Sequence, residues 1–392
     1  MRNLIILLTV ILFAMCKRDT SPGNYSNLSA IKIKASIGSL SGVLENPTDG
    51  NLLVNVTNYY STENVIRLLL VNPVTHNIIT EDSTKNAYTG SICTSGNNYY
   101  VAHGQQFSHD SIPLLLTRYD ENLKKIKSVD MGSLFAVNFL NTSSLTLKDG
   151  SVLCMVGSTK NYMYYTFFQF DKELNLIKRV QSGNPGNKYN QPNVSTIKEL
   201  DDGSFMLAIS YLDSVNNLSL LLEKRDKDFN YLWSKSVHEN GYLYPSNLLI
   251  ETNGSFWVVG SFLSNTSTSL EYDPIAYKFD KDANIIHKHY MPTQATEMRG
   301  NSAVLTSDGG LMFTVLSNEG KGANNSTVIT RLNADAQLVW RKKYGGAKNT
   351  AMNPFLMTQM PRRHLLAYLD NSFFNSPEGY NLILNYIDDD GL

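Results

Sequence analysis

Short apolar runs separated by turns rich in glycine, asparagine and aspartate recur along most of the chain. The pattern is most complete at residues 248–290, where an apolar run ends in Asn253-Gly254 and a second run, 255–260, follows. Two further runs, 275–280 and 284–290, come after a long polar loop. Asn-Gly between apolar runs is a strong signal for a tight hairpin. This stretch therefore predicts four antiparallel strands in a meander.

The same hairpin signal repeats at a nearly constant spacing. It occurs at Asp49-Gly50, Ser95-Gly96, Asp149-Gly150, Asp202-Gly203, Asn253-Gly254 and Asp308-Gly309, with a degenerate copy near Pro361-Arg362. The 259 residues from Gly50 to Gly309 hold five intervals, so the repeat is about 52 residues long. Apolar runs such as 152–156 and 205–209 follow these turns, as is typical of strands buried on both faces.

A second marker is an apolar strand that ends in Asp or Asn. Its copies end at Asn72, Asp120, Asp171, Asp226, Asp280, Asn333 and Asp388. Asp and Asn fit this position because their side chains can accept hydrogen bonds from N–H groups of the following turn. A repeat of about 50 residues with four strands in each unit predicts a β-propeller.

The two ends of the chain predict how such a ring closes. Few residues follow Asp388, so the seventh unit has no sequence for a fourth strand. A strand pattern at 30–36 resembles the fourth strand at 125–129 and is expected to pair with 382–387. Because an open ring would leave a strand edge unpaired, we expect an all-β, seven-bladed β-propeller of four-stranded antiparallel blades, closed by this N-terminal strand.

The N-terminus differs in character from the repeats. An apolar run at 4–13 follows a short basic segment, is too short to span a bilayer as a helix, and is typical of a secretory signal. The run ends at Phe13-Ala14-Met15-Cys16 and turns polar at once. This junction resembles the lipobox of bacterial lipoproteins, in which the cysteine is lipidated, although Met15 stands where that family has Gly, Ala or Ser. The alternative is an ordinary secretory signal with a chance cysteine.

The resemblance implies three segments: a lipoprotein signal peptide at 1–15, a lipid-anchored flexible tether at 16–28, and the propeller at 29–392. Cys16 is the expected lipidation site, and a membrane is the expected partner through that lipid. The implied location is the outer membrane of a bacterial cell envelope, with the periplasmic or surface side left open.

Composition indicates a folded β protein without a strong surface field. The formal net charge is -1, which gives no reason to expect a nucleic-acid partner. The 22 Tyr and 16 Phe favour strands. Cys93 and Cys154 lie within apolar strand patterns, so we interpret them as buried small side chains. The alternative is a disulfide or a metal pair.

Repeat phrases carry a further resemblance. Asp226 is followed by Trp233-Ser234-Lys235, and Asn333 is followed by Trp340-Arg341-Lys342. These phrases resemble the repeats of secreted and lipid-anchored bacterial β-propeller proteins, many of unknown function. The likeness concerns strands and turns over most of 30–392 and implies no catalytic residues and no cofactor. It leads us to expect a non-catalytic binding or scaffold protein.

Variable connections on one face are the expected binding surface. Loops between the second and third strands, such as 211–218, differ widely, and loops on a rigid scaffold commonly carry binding residues. Connections between blades approach the predicted central channel and carry Tyr88, Asn138, Tyr189, Gln191, Tyr244, Arg299, Asn301 and Asn353. Rings, amides and a guanidinium in this arrangement suit a glycan, and a peptide or partner protein also fits. The alternative is that these are solvated loop residues.

Catalytic signals are sparse. His287 and His289 lie on one side of a predicted outer strand, where a solvated edge is favoured over a metal pair. His103, His109 and Asp110 cluster near one loop. The chain lacks G-x-S-x-G, phosphate-loop, H-E-x-x-H and C-x-x-C motifs. The alternative function is a glycan-degrading hydrolase or lyase with carboxylates and histidines on the variable face.

Overall fold

The computed structural model describes the chain from residue 29 to residue 391 with gaps. The described ranges are 29–33, 38–59, 64–105, 111–135, 142–158, 164–183, 190–213, 217–264, 272–291, 296–298, 302–318, 325–344, 352–360, 363–370 and 380–391. Within these ranges the regular secondary structure is entirely β-strand. The predicted all-β class is therefore confirmed.

The strands follow one another in small units along the chain. After β1 (Ser29–Ile33), unit 1 holds β2 (Gly38–Glu45), β3 (Leu52–Tyr59), β4 (Asn64–Asn72) and β5 (Asn77–Lys85), and unit 2 holds β6 (Ala87–Ser95), β7 (Asn98–Gln105), β8 (Ser111–Tyr119) and β9 (Lys125–Phe135). Unit 3 holds β10 (Thr142–Thr146), β11 (Val152–Ser158), β12 (Tyr164–Phe170) and β13 (Leu176–Gly183), and unit 4 holds β14 (Asn190–Glu199), β15 (Phe205–Leu212), β16 (Leu218–Arg225) and β17 (Tyr231–Val237).

The second half of the chain continues the pattern with small variations. Unit 5 holds β18 (Gly241–Ile250), β19 (Phe256–Ser264), β20 (Asp273–Phe279) and β21 (Ile285–Tyr290). Unit 6 holds β22 (Thr296–Met298), β23 (Ala303–Leu305), β24 (Leu311–Asn318), β25 (Asn325–Leu332) and β26 (Leu338–Tyr344), and unit 7 holds β27 (Met352–Met360), β28 (Arg363–Asp370) and β29 (Tyr380–Asp388).

Each unit is an antiparallel sheet whose strands pair in chain order. In unit 6 both β22 and β23 pair with β24. Units 4 and 5 are joined into one larger sheet by a single parallel contact, between Leu218 of β16 and Tyr242 of β18. The predicted meander at 248–290 corresponds to unit 5 and is confirmed.

The N-terminal strand β1 belongs to the sheet of unit 7. It pairs antiparallel with β29, with Ser29 opposite Leu384 and Ile33 opposite Tyr380. The sequence predicted that this strand pairs with residues 382–387. The observed partner is residues 380–384, because β1 ends opposite the first residue of β29. The first strand of each unit also contacts the first strand of the next unit. In chain order these strands are β2, β6, β10, β14, β18, β23 and β27, and β27 in turn contacts β2.

The predicted hairpin turns are confirmed by their backbone geometry. Gly50, Gly96, Gly150, Gly203, Gly254 and Gly309 have φ between 56° and 85°. Only glycine adopts this left-handed region without steric cost, which explains the repeated signal. The degenerate turn near 361–362 lies outside the described residues.

The predicted Asp and Asn caps are also present. Asp280 Oδ1 accepts hydrogen bonds from the N–H groups of Asp282 at 2.9 Å and Asn284 at 2.8 Å. Between them Ala283 has φ 58° and is buried. Equivalent left-handed residues that are buried in the same way are Leu123, Leu174, Phe229 and Ala336. Their left-handed backbone costs about 1–2 kcal/mol each, which the caps and the burial of the side chains offset.

Lysines on the outer strand of one unit bind the Asp turn of the following unit. The contacts are Lys127 Nζ to Asn175 Oδ1 at 3.1 Å, Lys178 Nζ to Asp228 Oδ1 at 2.7 Å, Lys235 Nζ to Asn284 Oδ1 at 2.8 Å and Lys342 Nζ to the Asp390 carbonyl at 2.8 Å. The turns are thus inter-unit contacts as well as strand connections.

The apolar core lies between neighbouring units. Leu222 of unit 4 packs in one cluster with Phe256 and Val258 of unit 5. Cys93 and Cys154 share another cluster, where both are buried and free, which confirms the favoured interpretation over a disulfide. The part of the chain that the structure describes contains no helix long and apolar enough to cross a membrane.

Candidate functional site on the variable-loop face

Antiparallel strands place alternate connections at opposite edges of each unit. The glycine turns and the Asp turns share one edge, which we name the short-turn face. Connections from second to third strands, and from one unit to the next, share the other edge, the variable-loop face. Where units 4 and 5 meet, the structure describes Asp213 and Asn217 from one such connection, followed by the start of β16, and 238–240 from another connection.

Ser219 lies between a carboxylate and an imidazole on this face. Its Oγ donates to Oδ2 of Asp213 at 3.0 Å and lies 3.0 Å from Nδ1 of His238. Asp213 Oδ2 is 3.5 Å from His238 Nδ1, and Asp213 Oδ1 accepts the N–H of Asn217 at 2.9 Å. Ser219 is fully buried, whereas 57% of the His238 side chain is exposed. The imidazole is therefore the member of this cluster that a ligand can reach.

A second polar cluster begins at the next residue, Glu239. Its Oε1 accepts the hydroxyl of Tyr277 at 2.7 Å and is also bound by Nζ of Lys288. Nearby, the hydroxyl of Tyr290 donates to Oδ2 of Asp273 at 2.8 Å. Burial and the bond to Asp273 raise the pKa of Tyr290 to about 12, and burial and Glu239 raise the pKa of Tyr277. Both phenols therefore stay protonated at neutral pH and donate to the carboxylates.

Aromatic rings stand among these polar groups. Three edge-on ring pairs lie here, Tyr244 with Tyr272 at 5.6 Å, Tyr211 with His238 at 6.3 Å and Phe262 with Tyr290 at 5.6 Å between centroids. Tyr290 is 38% exposed. Exposed rings next to fixed hydrogen-bonding groups can stack on the apolar face of a ligand while polar atoms fix its orientation.

A small cavity lies beneath the rings, between units 4 and 5. Its walls are largely apolar and include Leu220, Leu243, Val258 and Ile275. It has room for about one water molecule. This cavity is therefore too small to admit a sugar.

Among the residues predicted to bind ligand, Tyr244 is the one whose side chain the structure describes, and it lies in this site. Tyr88, Gln191 and Asn353 fall within β6, β14 and β27, and their side chains are outside the description. Asn138, Tyr189, Arg299 and Asn301 lie outside the described residues, as does Cys16. The ring of eight residues thus remains a prediction.

Sequence reasoning missed the residues that define the site, Asp213, Ser219 and His238. Asp213 and Ser219 fall within or beside the predicted variable loop 211–218, which was the available signal. His238 comes from a different connection, between units 4 and 5. In the hairpin of β16 and β17 Leu220 lies opposite Val237, so Ser219 and His238 are the next pair of residues along it. This pairing depends on a register shift close to the turn of the hairpin, which no local sequence pattern indicates.

The other predicted histidine groups have structural surroundings. His287 lies on the outer strand β21, 3.6 Å from the carboxylate of Asp335 in the next unit. His103 is buried and bonds to Thr117 at 3.1 Å, while His109 and Asp110 lie outside the described residues. In the described ranges no group of His, Cys, Asp and Glu is arranged to hold a metal ion.

A second Ser–Asp–His cluster lies on the short-turn face, between units 6 and 7. Asp389 accepts Ser307 Oγ at 2.6 Å through Oδ2 and lies 2.8 Å from Nε2 of His364 through Oδ1. Burial alone would raise the pKa of Asp389, but the bonds from His364 and Ser307 hold it below its usual value. Both His364 and Asp389 are almost fully buried. Because Ser307 and His364 bind the same carboxylate, the serine is not aligned for activation by the histidine.

No family model matches the chain. No curated protein matches it either. Solved structures do match, and one is an ulvan lyase bound to -[GlcA(1-4)Rha3S]-, with a TM-score of 0.55 and 9% identity over 90% of this chain and 95% of its own. A second polysaccharide lyase has a TM-score of 0.55 and 7% identity over 93% of each chain.

A third similar structure is the β-propeller domain of the Trilobed protease from Pyrococcus furiosus, which has an open velcro topology. Its TM-score is 0.51, with 11% identity over 91% of this chain and 96% of its own. The fold is a β-propeller. At these identities the likeness extends to the fold, and the variable-loop face has to be interpreted from its own residues.

Proposed function

We propose that this chain is a non-catalytic propeller of the bacterial cell envelope that binds a glycan on its variable-loop face. The observation that carries the proposal is the exposed imidazole of His238, held by Ser219 and set beside the tyrosine rings of units 4 and 5. Aromatic stacking combined with fixed hydrogen-bonding groups is how proteins commonly hold sugars on an open surface. A peptide or partner protein is the remaining ligand class that such a surface fits.

A glycan array and a pull-down with the full chain in mild detergent test this role. We expect the array to show binding that His238→Ala and Tyr244→Ala both weaken. A matched control is His287→Ala, because His287 is a partly exposed histidine on the outer strand of unit 5. Binding that is unchanged in the two site variants would contradict the assignment of this face.

The scaffold we propose is a closed seven-bladed ring in which β1 completes unit 7. Two observations support it: β1 pairs with β29, and the first strands contact one another in succession from β2 to β27 and back to β2. Deleting 29–37 removes one strand of unit 7, so we expect a sharply lower melting temperature or aggregation through the exposed edge. A deletion variant that melts like the wild type would contradict closure.

We further propose that Cys16 carries the lipid that anchors the propeller to the outer membrane. The support is the sequence junction at Phe13-Ala14-Met15-Cys16. Cys16→Ala removes the residue that would carry the acyl chains, and stable anchoring needs two or more of them. The variant is therefore expected to leave the membrane or to remain an unprocessed precursor. Cell fractionation with N-terminal analysis is the measurement, and unchanged membrane association with unchanged processing would refute the anchor.

The alternative function is a glycan-degrading hydrolase or lyase on the same scaffold. It is favoured by the two polysaccharide lyases among the similar structures and by the solvent-exposed His238, which could act as a base. Incubation with polysaccharides, followed by reducing-end and ultraviolet assays, separates the two functions. Turnover that is lost in His238→Ala would establish the enzyme and reject the binding protein.

A further inference from the structure

We infer that the short-turn face of the propeller lies against a phospholipid membrane, which it contacts through a repeated set of exposed aliphatic side chains. The inference rests on the proposed lipid anchor at Cys16 and names the face of the molecule that the anchor holds at the membrane. It depends on a repeated bulge in the outer strands, on the exposure of the bulged residues and on the direction in which the chain enters β1.

The outer strand of each of units 1 to 6 carries a β-bulge directly after the Asp or Asn turn. In unit 5 Phe279 lies opposite Ile285, and Lys278 lies opposite His287. Ile286 therefore has no partner on the neighbouring strand. The same register shift leaves one residue unpaired in each of the other five units. The six bulged residues, which we name the aliphatic rim, are Ile79, Ile126, Ile177, Leu232, Ile286 and Val339.

Every residue of the aliphatic rim is exposed. The exposed fraction lies between 46% and 55% in all six. In units 3 to 6 the preceding residue is also large, apolar and exposed, and these residues are Leu176, Tyr231, Ile285 and Leu338. Single exposed apolar residues are usual on protein surfaces. An exposed aliphatic residue at the same position of six successive units is a repeated feature that needs its own explanation.

Protection of the sheet edge does not explain the aliphatic rim. A bulge on an outer strand hinders pairing with another chain, and proteins commonly place charged side chains on such edges for the same purpose. An aliphatic side chain at an exposed edge acts in the opposite direction, because it favours association. Exposed apolar surface bordered by polar residues is typical of a contact with another protein or with a membrane.

The direction of β1 favours the membrane as the occupant. β29 runs towards the turn at 388–391 on the short-turn face, and β1 is antiparallel to it, with Ser29 opposite Leu384 and Ile33 opposite Tyr380. Ser29 is therefore the end of β1 nearer the short-turn face. Cys16 comes thirteen residues earlier in the sequence, a length of chain that spans at most about 45 Å. Acyl chains on Cys16 would thus hold this face close to the bilayer.

The contact that we infer is apolar and not electrostatic. The turns of the same face carry the carboxylates of the Asp caps, such as Asp226 and Asp280, so attraction to anionic headgroups is not expected. Aliphatic side chains between polar turns suit insertion at the boundary of headgroups and acyl chains. A zwitterionic phospholipid is the class of lipid that fits. This orientation directs the variable-loop face away from the membrane, where His238 is open to a glycan.

The experiment maps lipid contacts with a phosphatidylcholine whose acyl chain carries a photoactivatable diazirine. The full chain is reconstituted in phosphatidylcholine vesicles that contain this lipid, irradiated, digested and analysed by mass spectrometry. We expect lipid adducts at the aliphatic rim and none at the candidate site around His238. Replacing the rim in units 3, 4 and 5 should lower the adducts that remain at Ile126 and Val339 about tenfold, as expected from the transfer free energy of three half-exposed aliphatic side chains.

The rim variant combines Ile177→Thr, Leu232→Thr and Ile286→Thr, because threonine keeps the preference for strands while it adds a hydroxyl. The control variant combines Gln181→Thr and Ser236→Thr, which change exposed positions farther along two of the same strands. Both variants should melt like the wild type, and the control should give the adducts of the wild type.

The outcomes separate this inference from the lipid anchor. Adducts confined to the segment before residue 29 overturn the docked face while the anchor stands. Adducts at the variable-loop face overturn the orientation. Adducts at Ile126 and Val339 that the rim variant leaves unchanged overturn the role of the aliphatic rim. The absence of adducts from the whole chain overturns both the docked face and the anchor on which it rests.

Discussion

Two clusters of serine, aspartate and histidine lie on opposite faces of this propeller. On the short-turn face Asp389 is the centre, and it receives both Ser307 and His364. On the variable-loop face Ser219 is the centre: it donates its one proton to Asp213, so its contact with Nδ1 of His238 uses a proton of the imidazole. The composition is the same, but the order of the hydrogen bonds differs.

The two clusters also differ in how deeply their histidines are buried. The His364 side chain is 1% exposed, whereas the His238 side chain is 57% exposed. A buried carboxylate that receives two donors links units 6 and 7, and its contacts are complete within the protein. The hydrogen-bonded series Asp213, Ser219 and His238, which we name the relay, ends in an exposed imidazole. The second ring nitrogen of that imidazole is available to a ligand. The comparison shows that residue types alone do not separate a structural contact from a candidate binding site, whereas the exposure and the order of the hydrogen bonds distinguish these two clusters.

The largest expected effect is on stability, from Asp389→Ala on the short-turn face. The change removes the acceptor of His364 and of both the Oγ and the N–H of Ser307. Breaking a buried pair by removing one partner costs about 3–5 kcal/mol, so the free energy of unfolding should fall by that amount in denaturant titration. Ligand binding by the remaining folded protein should be unchanged.

The neighbouring residue supplies the control for that variant. Asp390 is exposed, and its carboxylate lies 3.7 Å from Arg331. Asp390→Ala should cost less than about 1 kcal/mol, as is usual for surface pairs. If Asp389→Ala unfolds at the same denaturant concentration as Asp390→Ala, the structural role of the short-turn cluster is wrong.

The fold could be predicted because its signals are local. The glycine turns need positive φ and the Asp turns need a capping oxygen, so both leave a residue type at a fixed place in each repeat. Phe229 could not be predicted in the same way. A bulky residue at φ 65° is locally disfavoured, and its burial against Phe167 and Phe205 of neighbouring strands compensates for that cost.

The candidate site was predictable only in part. Tyr244 and the variable loop at 211–218 were indicated by position in the repeat. The contact of Ser219 with His238 continues the hairpin of β16 and β17, in which Leu220 lies opposite Val237. The register of this hairpin shifts by one residue near its turn, so the position of the turn in the sequence does not by itself predict which residues face each other.

The matched pair Ser307→Ala and Ser219→Ala separates the two clusters by function. Each variant removes one hydroxyl donor from a carboxylate, so each should lower the free energy of unfolding by about 1–2 kcal/mol. Glycan binding should fall in Ser219→Ala, because the tautomer of His238 is no longer fixed, and stay constant in Ser307→Ala. Equal binding loss in both variants would mean that general destabilisation, and not the relay, controls the site.

Acid should lower the stability of the short-turn face by protonating its Asp caps. We expect this effect to be smaller than those of the substitutions above. The backbone and side-chain amides of Asn284 lower the pKa of Asp280. A depressed pKa contributes stability above the ordinary value near 3.9, and this contribution is lost as pH falls through the lower folded value. Asp280→Asn keeps the accepting oxygen, as Asn333 does naturally, but does not titrate.

The measurement for the caps is the melting temperature of wild type and Asp280→Asn between about pH 7 and about pH 2.5. We expect the variant to gain relative to the wild type as the pH falls below about 4. A constant difference across this range would show that the cap of Asp280 adds nothing to acid sensitivity. Because Asp280 is partly exposed, the melting temperatures of the two proteins should differ only slightly at neutral pH.

The smallest expected effect on stability, and the sharpest test of the variable-loop relay, is Asp213→Asn. The side-chain carbonyl of the variant must still accept the N–H of Asn217, because Oδ1 of Asp213 does so at 2.9 Å. The new amide nitrogen then faces Ser219 and donates to it, so Ser219 donates its own proton to Nδ1 of His238. The proton of the imidazole moves to Nε2, and the exposed acceptor becomes a donor. Nitrogen-15 NMR of His238 should show this reversal of tautomer in an otherwise folded protein, together with weaker glycan binding. An unchanged tautomer would contradict the relay.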